Sequence, residues 1–255
     1  MAGYRPHRFV EGACMPDYKY SDIAKMIDHS LLNPTLTVED LKVGIQMARL
    51  YDVASVCILP YALKMCADEL AGTSVQPSTT VGFPHGGHAT STKVKEAETA
   101  ISEGCTELDM VVNISQALSG NWNYVYADIM AVTDVAHGAG QKIKVIFENC
   151  YLNDQQKIKL CEICNSLNVD WVKTSTGYGT GGATAADLKL MRKHTLPHVQ
   201  VKAAGGVRTF DQLLAVRQLE VTRVGASATK IILDQCRYRL GLTAIEITAN
   251  IPAGY

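Results

Sequence analysis

Short apolar runs alternate along the chain with longer segments in which apolar residues recur every three or four positions. The alternation begins near Ser21 and continues to about residue 226. Short apolar runs are typical of buried strands, and the longer period is typical of amphipathic helices. Eight runs qualify as strands, at residues 26–29, 54–59, 79–83, 107–113, 142–148, 170–175, 199–204 and 222–226.

Several of the predicted helices start with a residue pair that fits or approximates a capping box, in which two side chains three positions apart bind each other's backbone amides. Stripes such as Leu213, Val216 and Leu219 continue the helical period. Alternating strands and helices of this kind predict a parallel sheet covered by helices. The capping pairs are Thr37 with Asp40, Asn153 with Gln156, Thr184 with Asp187 and Thr209 with Gln212.

Eight strands, each followed by a helix, favour a single closed (β/α)8 TIM barrel over an open doubly wound sheet. An open sheet more often carries a glycine-rich dinucleotide turn after its first strand, and no such turn follows His29. We expect the barrel to span residues 21–240, with residues 1–20 as an N-terminal arm and 241–255 as a C-terminal tail. Catalytic groups in such barrels lie where strands end and loops begin.

The formal net charge of the 255 residues is −1, with no basic stripe, so we expect no nucleic-acid partner. No apolar run approaches the roughly 18 residues of a membrane-spanning helix, and the first residues do not form a signal-peptide core. The 8 cysteines indicate buried thiols in a reducing compartment. We therefore expect a soluble, cytoplasmic protein that does not bind membranes.

Two sequence patterns could indicate metal or redox chemistry. Cys161 and Cys164 have C-x-x-C spacing, but both fall on the apolar side of a predicted helix and no second pair follows, which favours core packing. His85 and His88 lack a nearby third ligand, so we interpret their loop as lining the substrate entrance. We expect no metal and no other cofactor.

Polar side chains recur near the ends of the predicted strands. Individually each has a structural explanation: Asp28 or His29 could cap a turn, and Glu148 could form a structural ion pair. Their recurrence at one end of a barrel predicts an active site there. The residues are Asp28 and His29 on the first strand, Cys57 on the second, Asp109 and Asn113 on the fourth, Glu148 on the fifth, Lys173 on the sixth and Lys202 on the seventh.

Lys173 stands in a predicted strand, where lysine is disfavoured, and hydroxyl and glycine residues that suit an anion follow it. A solvent-facing lysine is the structural alternative. Lys202 lies on the next strand, about 4.8 Å away if both side chains point inward. A desolvated lysine beside another cation loses its proton and can attack a carbonyl to form a Schiff base. Lys173 is therefore the candidate nucleophile and Lys202 its electrostatic partner, with a phosphate contact as the alternative for Lys202.

Asp109 lies in an apolar strand, where a buried carboxylate requires a cation that the two lysines can supply. It could also transfer protons to a reacting group, and a purely structural ion pair is the alternative. The loops after the seventh and eighth strands contain Gly205, Gly206, Gly225 and Ser227. Barrel enzymes often bind phosphate at these loops, although glycines there could also serve tight turns alone.

At residues 172–177, 202–209 and 107–111 the sequence resembles the deoxyribose-phosphate aldolases. The three motifs occur in the family's order, and the resemblance extends from about residue 23 to 227. It implies a class I, metal-free aldolase on a TIM barrel that reversibly cleaves 2-deoxy-D-ribose 5-phosphate to acetaldehyde and D-glyceraldehyde 3-phosphate. We also expect a homo-oligomer, either a dimer or a tetramer.

The resemblance implies a role for each matching residue. The lysine matching Lys173 forms the Schiff base, the lysine matching Lys202 lowers its pKa, and the aspartate matching Asp109 relays protons. Tyr255 matches a C-terminal tyrosine that assists proton exchange in some members, although it could be an ordinary chain terminus. Cys57 matches a cysteine near the acetaldehyde site, and a buried core thiol is the alternative. Further substrate contacts are expected from Thr176, Gly177, Gly205, Gly206, Gly225 and Ser227.

The sequence also departs from the family pattern. Tyr178 occupies the position of a second lysine that helps to hold phosphate in some members, Ala228 replaces a common serine, and residues 148–150 differ from the usual Glu-Thr-Gly. One alternative is thus a related lysine-dependent aldolase with a different or non-phosphorylated acceptor. A non-catalytic barrel that binds a sugar phosphate is a second alternative, and the retained lysines and aspartate argue against it.

Overall fold

The protein forms a closed barrel of eight parallel strands whose order around the barrel follows the chain. The computed structural model describes residues 17–246, and it confirms the predicted (β/α)8 barrel. Most of the predicted arm, part of the predicted tail and Tyr255 lie outside the described residues. The strands are β1 (Ile27–Leu31), β2 (Ser55–Ile58), β3 (Gln76–Val81), β4 (Glu107–Val111), β5 (Lys142–Ile146), β6 (Trp171–Lys173), β7 (Gln200–Ala204) and β8 (Arg223–Ala226).

Helices connect successive strands on the outside of the barrel. The boxes at Thr37, Asn153 and Thr209 form as predicted, and the Thr184 hydroxyl accepts the Asp187 amide at 3.1 Å. Between residues 17 and 246 the helices are α1 (Tyr20–Ala24), α2 (Val38–Leu50), α3 (Leu63–Leu70), α4 (Thr90–Ser102), α5 (Ile114–Leu118), α6 (Trp122–Gly138), α7 (Asp154–Ser166), α8 (Ala185–His194), α9 (Phe210–Arg217) and α10 (Thr229–Arg239).

All eight predicted strands are present, and β3 departs most from its predicted start. It begins at Gln76, three residues before the predicted Thr79. The early residues are polar or proline and so do not form an apolar run, yet Ser78 aligns with Cys57 on one side and with Glu107 on the other. Pairing with β2 therefore sets the start of this strand, and pairing with β4 begins at Ser78.

The two faces of the barrel wall differ sharply in chemistry. Strand residues that face the helices, among them Val56, Leu108 and Val172, are buried and apolar. Many of the inward positions are polar or charged: register aligns Asp109 with Lys144 and Lys173 with Lys202. Aligned residues of a parallel sheet point to the same face, so charged groups meet inside a barrel whose interior is usually filled by branched apolar side chains.

The cysteines of the described residues are free, and all but Cys150 are buried. Cys161 and Cys164 lie in the buried part of α7, as predicted, and burial raises the pKa of Cys161 to about 12. Across residues 17–246 no cluster of three or more potential metal ligands is found. None of the helices in that range is both long and apolar enough to cross a membrane.

A buried ion pair outside the barrel supports the strand that carries Asp109. Lys93 Nζ on α4 lies 2.6 Å from Asp128 Oδ2 on α6, and both side chains are fully buried. Lys93 Nζ also donates to the Val111 carbonyl at the end of β4, at 2.9 Å. One side chain thus ties two helices to the end of a strand.

Replacing Lys93 with methionine should lower the free energy of unfolding by about 3–5 kcal/mol, because it leaves the Asp128 carboxylate buried without its cation. Denaturant titration measures this loss. Lys95→Met, on the same helix, breaks only an exposed pair with Glu98 and should cost less than about 1 kcal/mol. Equal losses in the two variants would contradict a stabilising role for the buried pair.

Candidate active site

A cavity of about 230 Å³ opens at the end of the barrel where the strands terminate. It is lined by both predicted lysines, Lys173 and Lys202, and by Asp28. The loops after β6, β7 and β8 supply most of the remaining wall, together with the end of β2. The structure brings together here Cys57, Thr176, Gly177, Gly205, Gly206, Gly225 and Ser227, which were predicted as substrate contacts.

Both lysines contact the same oxygen of Asp109. Lys173 Nζ lies 2.6 Å from Asp109 Oδ2, and Lys202 Nζ lies 2.7 Å from that atom. The other oxygen, Oδ1, is 2.9 Å from Lys144 Nζ. A single buried carboxylate therefore accepts hydrogen bonds from three amines on three consecutive strands, β5, β6 and β7.

Further charged groups surround this carboxylate. Lys144 Nζ is 2.5 Å from Glu107 Oε2, and Lys202 Nζ is 2.6 Å from Asp28 Oδ2. Arg223 joins the two acids, with contacts of 2.5 Å to Asp28 and 2.8 Å to Glu107. We call these seven residues the charge cluster: Asp28, Glu107, Asp109, Lys144, Lys173, Lys202 and Arg223.

Lys144, Glu107 and Arg223 have no predicted role in the site, and Asp28 appears in the prediction only as one strand-end residue. The sequence does contain a signal for Glu107. Glu107 and Asp109 are two positions apart in one strand, and this spacing places both on the same face. Arg223 could not be assigned in this way, because only closure of the barrel between β8 and β1 brings it to Asp28.

The charge cluster holds three carboxylates and four cationic groups, so full ionisation would leave one uncompensated positive charge in a buried site. Removing one proton makes the cluster neutral. Burial, followed by the positive charge of Lys202, lowers the pKa of Lys173, although Asp109 opposes the shift. Burial also disfavours the charged form of Lys202, but Asp109 and Asp28 outweigh it and raise the pKa of Lys202. Of these two lysines, Lys173 is therefore the one that gives up its proton more readily.

The direction of this pKa shift agrees with the sequence prediction, and so do its two causes, burial and a neighbouring cation. Burial makes the larger contribution to the low pKa of Lys173, and the charge of Lys202 adds to it. The carboxylates of Asp28 and Asp109 both contact Lys202, and their negative charge weakens the effect of Lys202 on Lys173. Lys202 thus acts as a fixed cation beside Lys173.

The loop after β6 is held in place by Glu148 at the end of β5. Glu148 is buried with a positive φ of 58°, and its carboxylate accepts the Thr176 amide at 3.2 Å and also the Thr176 hydroxyl. Thr176 Oγ1 in turn accepts the Tyr178 amide at 3.0 Å. The loop segment that lines the cavity is therefore fixed by a chain of hydrogen bonds that starts at β5.

The far end of the cavity can accept an anion. Gly205 and Gly206 line this end of the cavity, and their φ angles are positive, at 79° and 95°. Glycine adopts this backbone conformation without strain. Arg208 adds a guanidinium, and Ser227 adds a hydroxyl just before α10. Backbone amides, a hydroxyl and a cation near a helix start are typical of phosphate sites.

Other residues predicted near strand ends do not reach this cavity. His29 faces α10, with Nδ1 2.8 Å from Thr229 Oγ1, and burial lowers its pKa to about 4. Asn113 caps α5 by accepting the Gln116 amide at 3.1 Å. His85 and His88 are exposed and are not among the residues that line this cavity, so their loop does not form its wall.

Comparisons with known proteins agree on one family. The model of the DeoC/LacD family aldolases matches residues 23–233. The deoxyribose-phosphate aldolase of Rhodopirellula baltica is 65% identical over 241 residues, which are 94% of this chain and 100% of that protein. The enzyme of that name from Thermococcus gammatolerans is 44% identical over 85% of this chain and 97% of that protein.

A solved structure shows the same similarity in three dimensions. The deoxyribose phosphate aldolase from Aeropyrum pernix, described as a tetramer, aligns with a TM-score of 0.78 at 27% sequence identity. The alignment covers 86% of this chain and 92% of that one. Sequence and structure comparisons therefore point to the same relatives.

Replacing Lys202 with methionine should raise the pKa of Lys173, because the substitution removes a positive charge that lowers it. Reductive methylation with formaldehyde, followed by peptide mass spectrometry across a pH series, measures the midpoint for Lys173. In the wild type this midpoint should lie below that of the exposed Lys95, and in Lys202→Met it should move to higher pH. An identical midpoint for Lys173 and Lys95 in the wild type would show that burial does not perturb the amine.

Proposed function

The chain belongs to the DeoC/LacD family of aldolases and catalyses the deoxyribose-phosphate aldolase reaction, and we propose that it does so through a Schiff base on Lys173. The predicted family and reaction are confirmed by the relatives described above. In this reaction 2-deoxy-D-ribose 5-phosphate is cleaved reversibly to acetaldehyde and D-glyceraldehyde 3-phosphate. The observation that carries the proposed mechanism is the contact of Lys173 and Lys202, which line the cavity, with one oxygen of the buried Asp109.

The first step is attack by the neutral amine of Lys173 on the aldehyde carbon C1 of the open-chain sugar. The carbinolamine that forms then takes up a proton, loses water and becomes a protonated Schiff base. The lowered pKa of Lys173 supports this assignment, since a protonated amine has no free electron pair. Lys202 also lines the cavity, but its raised pKa keeps it protonated and unsuited to nucleophilic attack.

The second step is cleavage between C2 and C3. The C3 hydroxyl loses its proton, the electrons of the C2–C3 bond move towards the iminium, and D-glyceraldehyde 3-phosphate leaves. The enamine that remains is protonated at C2. Water then hydrolyses the iminium, releasing acetaldehyde and restoring the amine of Lys173.

Asp109 is the proposed proton relay. Burial alone would raise the pKa of its carboxyl, but the charges of Lys144, Lys173 and Lys202 outweigh burial and hold that pKa far below its usual range. A carboxylate with so low a pKa is a weak base. Once Lys173 has lost its proton to become the attacking amine, one of the cations beside Asp109 is gone, and the carboxylate becomes more basic. Its proton affinity therefore rises at the stage where protons must move.

The phosphate end of the substrate is assigned to the loops after β7 and β8. Gly205, Gly206 and Ser227 line the far end of the cavity, and Arg208 is the cation nearest to them in sequence. Thr176, Gly177 and Gly225 then border the sugar carbons between the phosphate and the Schiff base. This assignment places the anion beside glycine residues, a hydroxyl and a guanidinium.

The remaining expectations extend the proposal. Cys57 lines the cavity, and burial raises the pKa of its thiol, which suits an uncharged contact to the two-carbon aldehyde. Tyr255, outside the described residues, is assigned proton exchange only through the family resemblance. A homo-oligomer is inferred from the tetramer described for the Aeropyrum pernix enzyme. A cytoplasmic location is inferred from the free, mostly buried cysteines.

Sodium borohydride added together with acetaldehyde should attach one ethyl group to Lys173, because the reagent reduces the Schiff base to a stable secondary amine. Peptide mass spectrometry locates the modified residue. Lys173→Leu should lose both the adduct and aldolase turnover, whereas Lys95→Leu should retain both. An adduct on a different lysine, or full turnover by Lys173→Leu, would show that the nucleophile is wrongly assigned.

A further inference from the structure

The side chain of Tyr178 crosses the mouth of the barrel. It starts from the loop after β6, and its hydroxyl donates to the Leu32 carbonyl in the loop after β1, at 2.6 Å. Two strands, β7 and β8, separate those loops around the barrel. A single side chain therefore bridges loops that are not adjacent.

Different cavities lie on the two sides of this bridge. One, of about 350 Å³, which we call the polar cavity, is lined by Asn33 and hydroxyl residues together with Leu32 and Leu36. It shares Ser30, Leu32, Thr176, Gly177 and Ser227 with the catalytic cavity. The other, of about 330 Å³, is lined mostly by apolar residues of the loops after β1, β2 and β3, namely Leu32, Pro34, Leu59, Pro60, Phe83 and Pro84, with Thr80 and Glu96. Tyr178 and Leu32 line both cavities, so the bridge is the wall between them.

The wall is fixed at each end. Phe83 packs edge-on against the Tyr178 ring, with ring centroids 5.5 Å apart and planes at 89°. At the backbone, the Tyr178 amide is held by Thr176 Oγ1, which is itself bound to Glu148. Tyr178 is nevertheless 47% exposed, so part of the ring faces the open mouth. The position of the ring thus depends on the hydroxyl contact, the Phe83 contact and the loop beneath it.

We propose that Tyr178 is a specificity-determining residue that confines the acceptor aldehyde to the catalytic cavity and the adjoining polar cavity and excludes alkyl substituents from the apolar one. The inference rests on the proposed aldolase function. A short acceptor with hydroxyl and phosphate groups finds its partners on the polar side of the ring. An aldehyde with a longer alkyl chain would gain by burying that chain among Leu59, Phe83 and the prolines, but the ring occupies the route to them.

Two substitutions distinguish the role of the Tyr178 ring from the role of its hydroxyl. Tyr178→Ala removes the wall, so kcat/KM for hexanal as acceptor, relative to D-glyceraldehyde 3-phosphate and with acetaldehyde as donor, should rise by at least about tenfold. Tyr178→Phe keeps the ring but loses the tether to Leu32. It should raise KM for 2-deoxy-D-ribose 5-phosphate by about two- to tenfold with kcat nearly unchanged, because one hydrogen bond that positions the loop is lost.

Tyr61→Ala and Tyr61→Phe are the matched controls, because Tyr61 is exposed and lies outside the apolar cavity described above. Both should retain wild-type acceptor preference and KM. If the Tyr178 variants fold, form the Lys173 adduct and match the Tyr61 variants in acceptor preference and KM, the inference is wrong while the aldolase function stands. A wild-type protein that forms no Lys173 adduct and does not cleave 2-deoxy-D-ribose 5-phosphate would instead contradict the proposed function.

Discussion

The carboxylate of Asp109 stabilises the buried lysines inside this barrel. Three buried lysine amines lie within hydrogen-bond distance of its two oxygens. Ions buried without partners are destabilising by several kcal/mol each, even after relaxation. Asp28 and Glu107 supply the remaining negative charge, and Arg223 holds those two acids in place. The ion pairs between inward-facing side chains therefore depend on the register of β4 to β8.

The groups that carry out the reaction and the groups that contact the acceptor lie on different parts of the barrel. The charge cluster lies on strands, which are rigid, and its composition leaves one proton too many for neutrality. The loops at the mouth hold Gly205, Gly206 and Ser227 on one side and Tyr178 across the opening. A change in these loops can alter which aldehyde enters without altering the amine that attacks it.

Much of the fold follows from local pattern, because each strand and helix has its own period and three capping boxes form where the sequence predicts them. Lys173, Lys202 and Asp109 could be singled out because a charge in an apolar strand is costly unless it is paired or used. Lys144 obeys the same rule, but its role depends on register, which aligns it with Asp109. Neighbouring strands, and not the local sequence, define that alignment.

Other features required the closed structure. The contact between Tyr178 and Leu32 joins residues 146 positions apart in the chain, and no local pattern encodes it. The first residues of β3 are polar or proline, so a search for apolar runs places the start of this strand too late, although its pairing with β2 is continuous. Contacts set by barrel closure and loop packing are thus where sequence patterns are least informative.

The central claim is that Lys173, alone among the lysines of the charge cluster, loses its proton readily. An NMR titration of protein labelled with ¹³C at lysine Cε, with resonances assigned by substitution, measures this directly. The account predicts that Lys173 titrates below an ordinary lysine while Lys144 and Lys202 remain protonated throughout that range. Titration of Lys202 or Lys144 before Lys173 would contradict it.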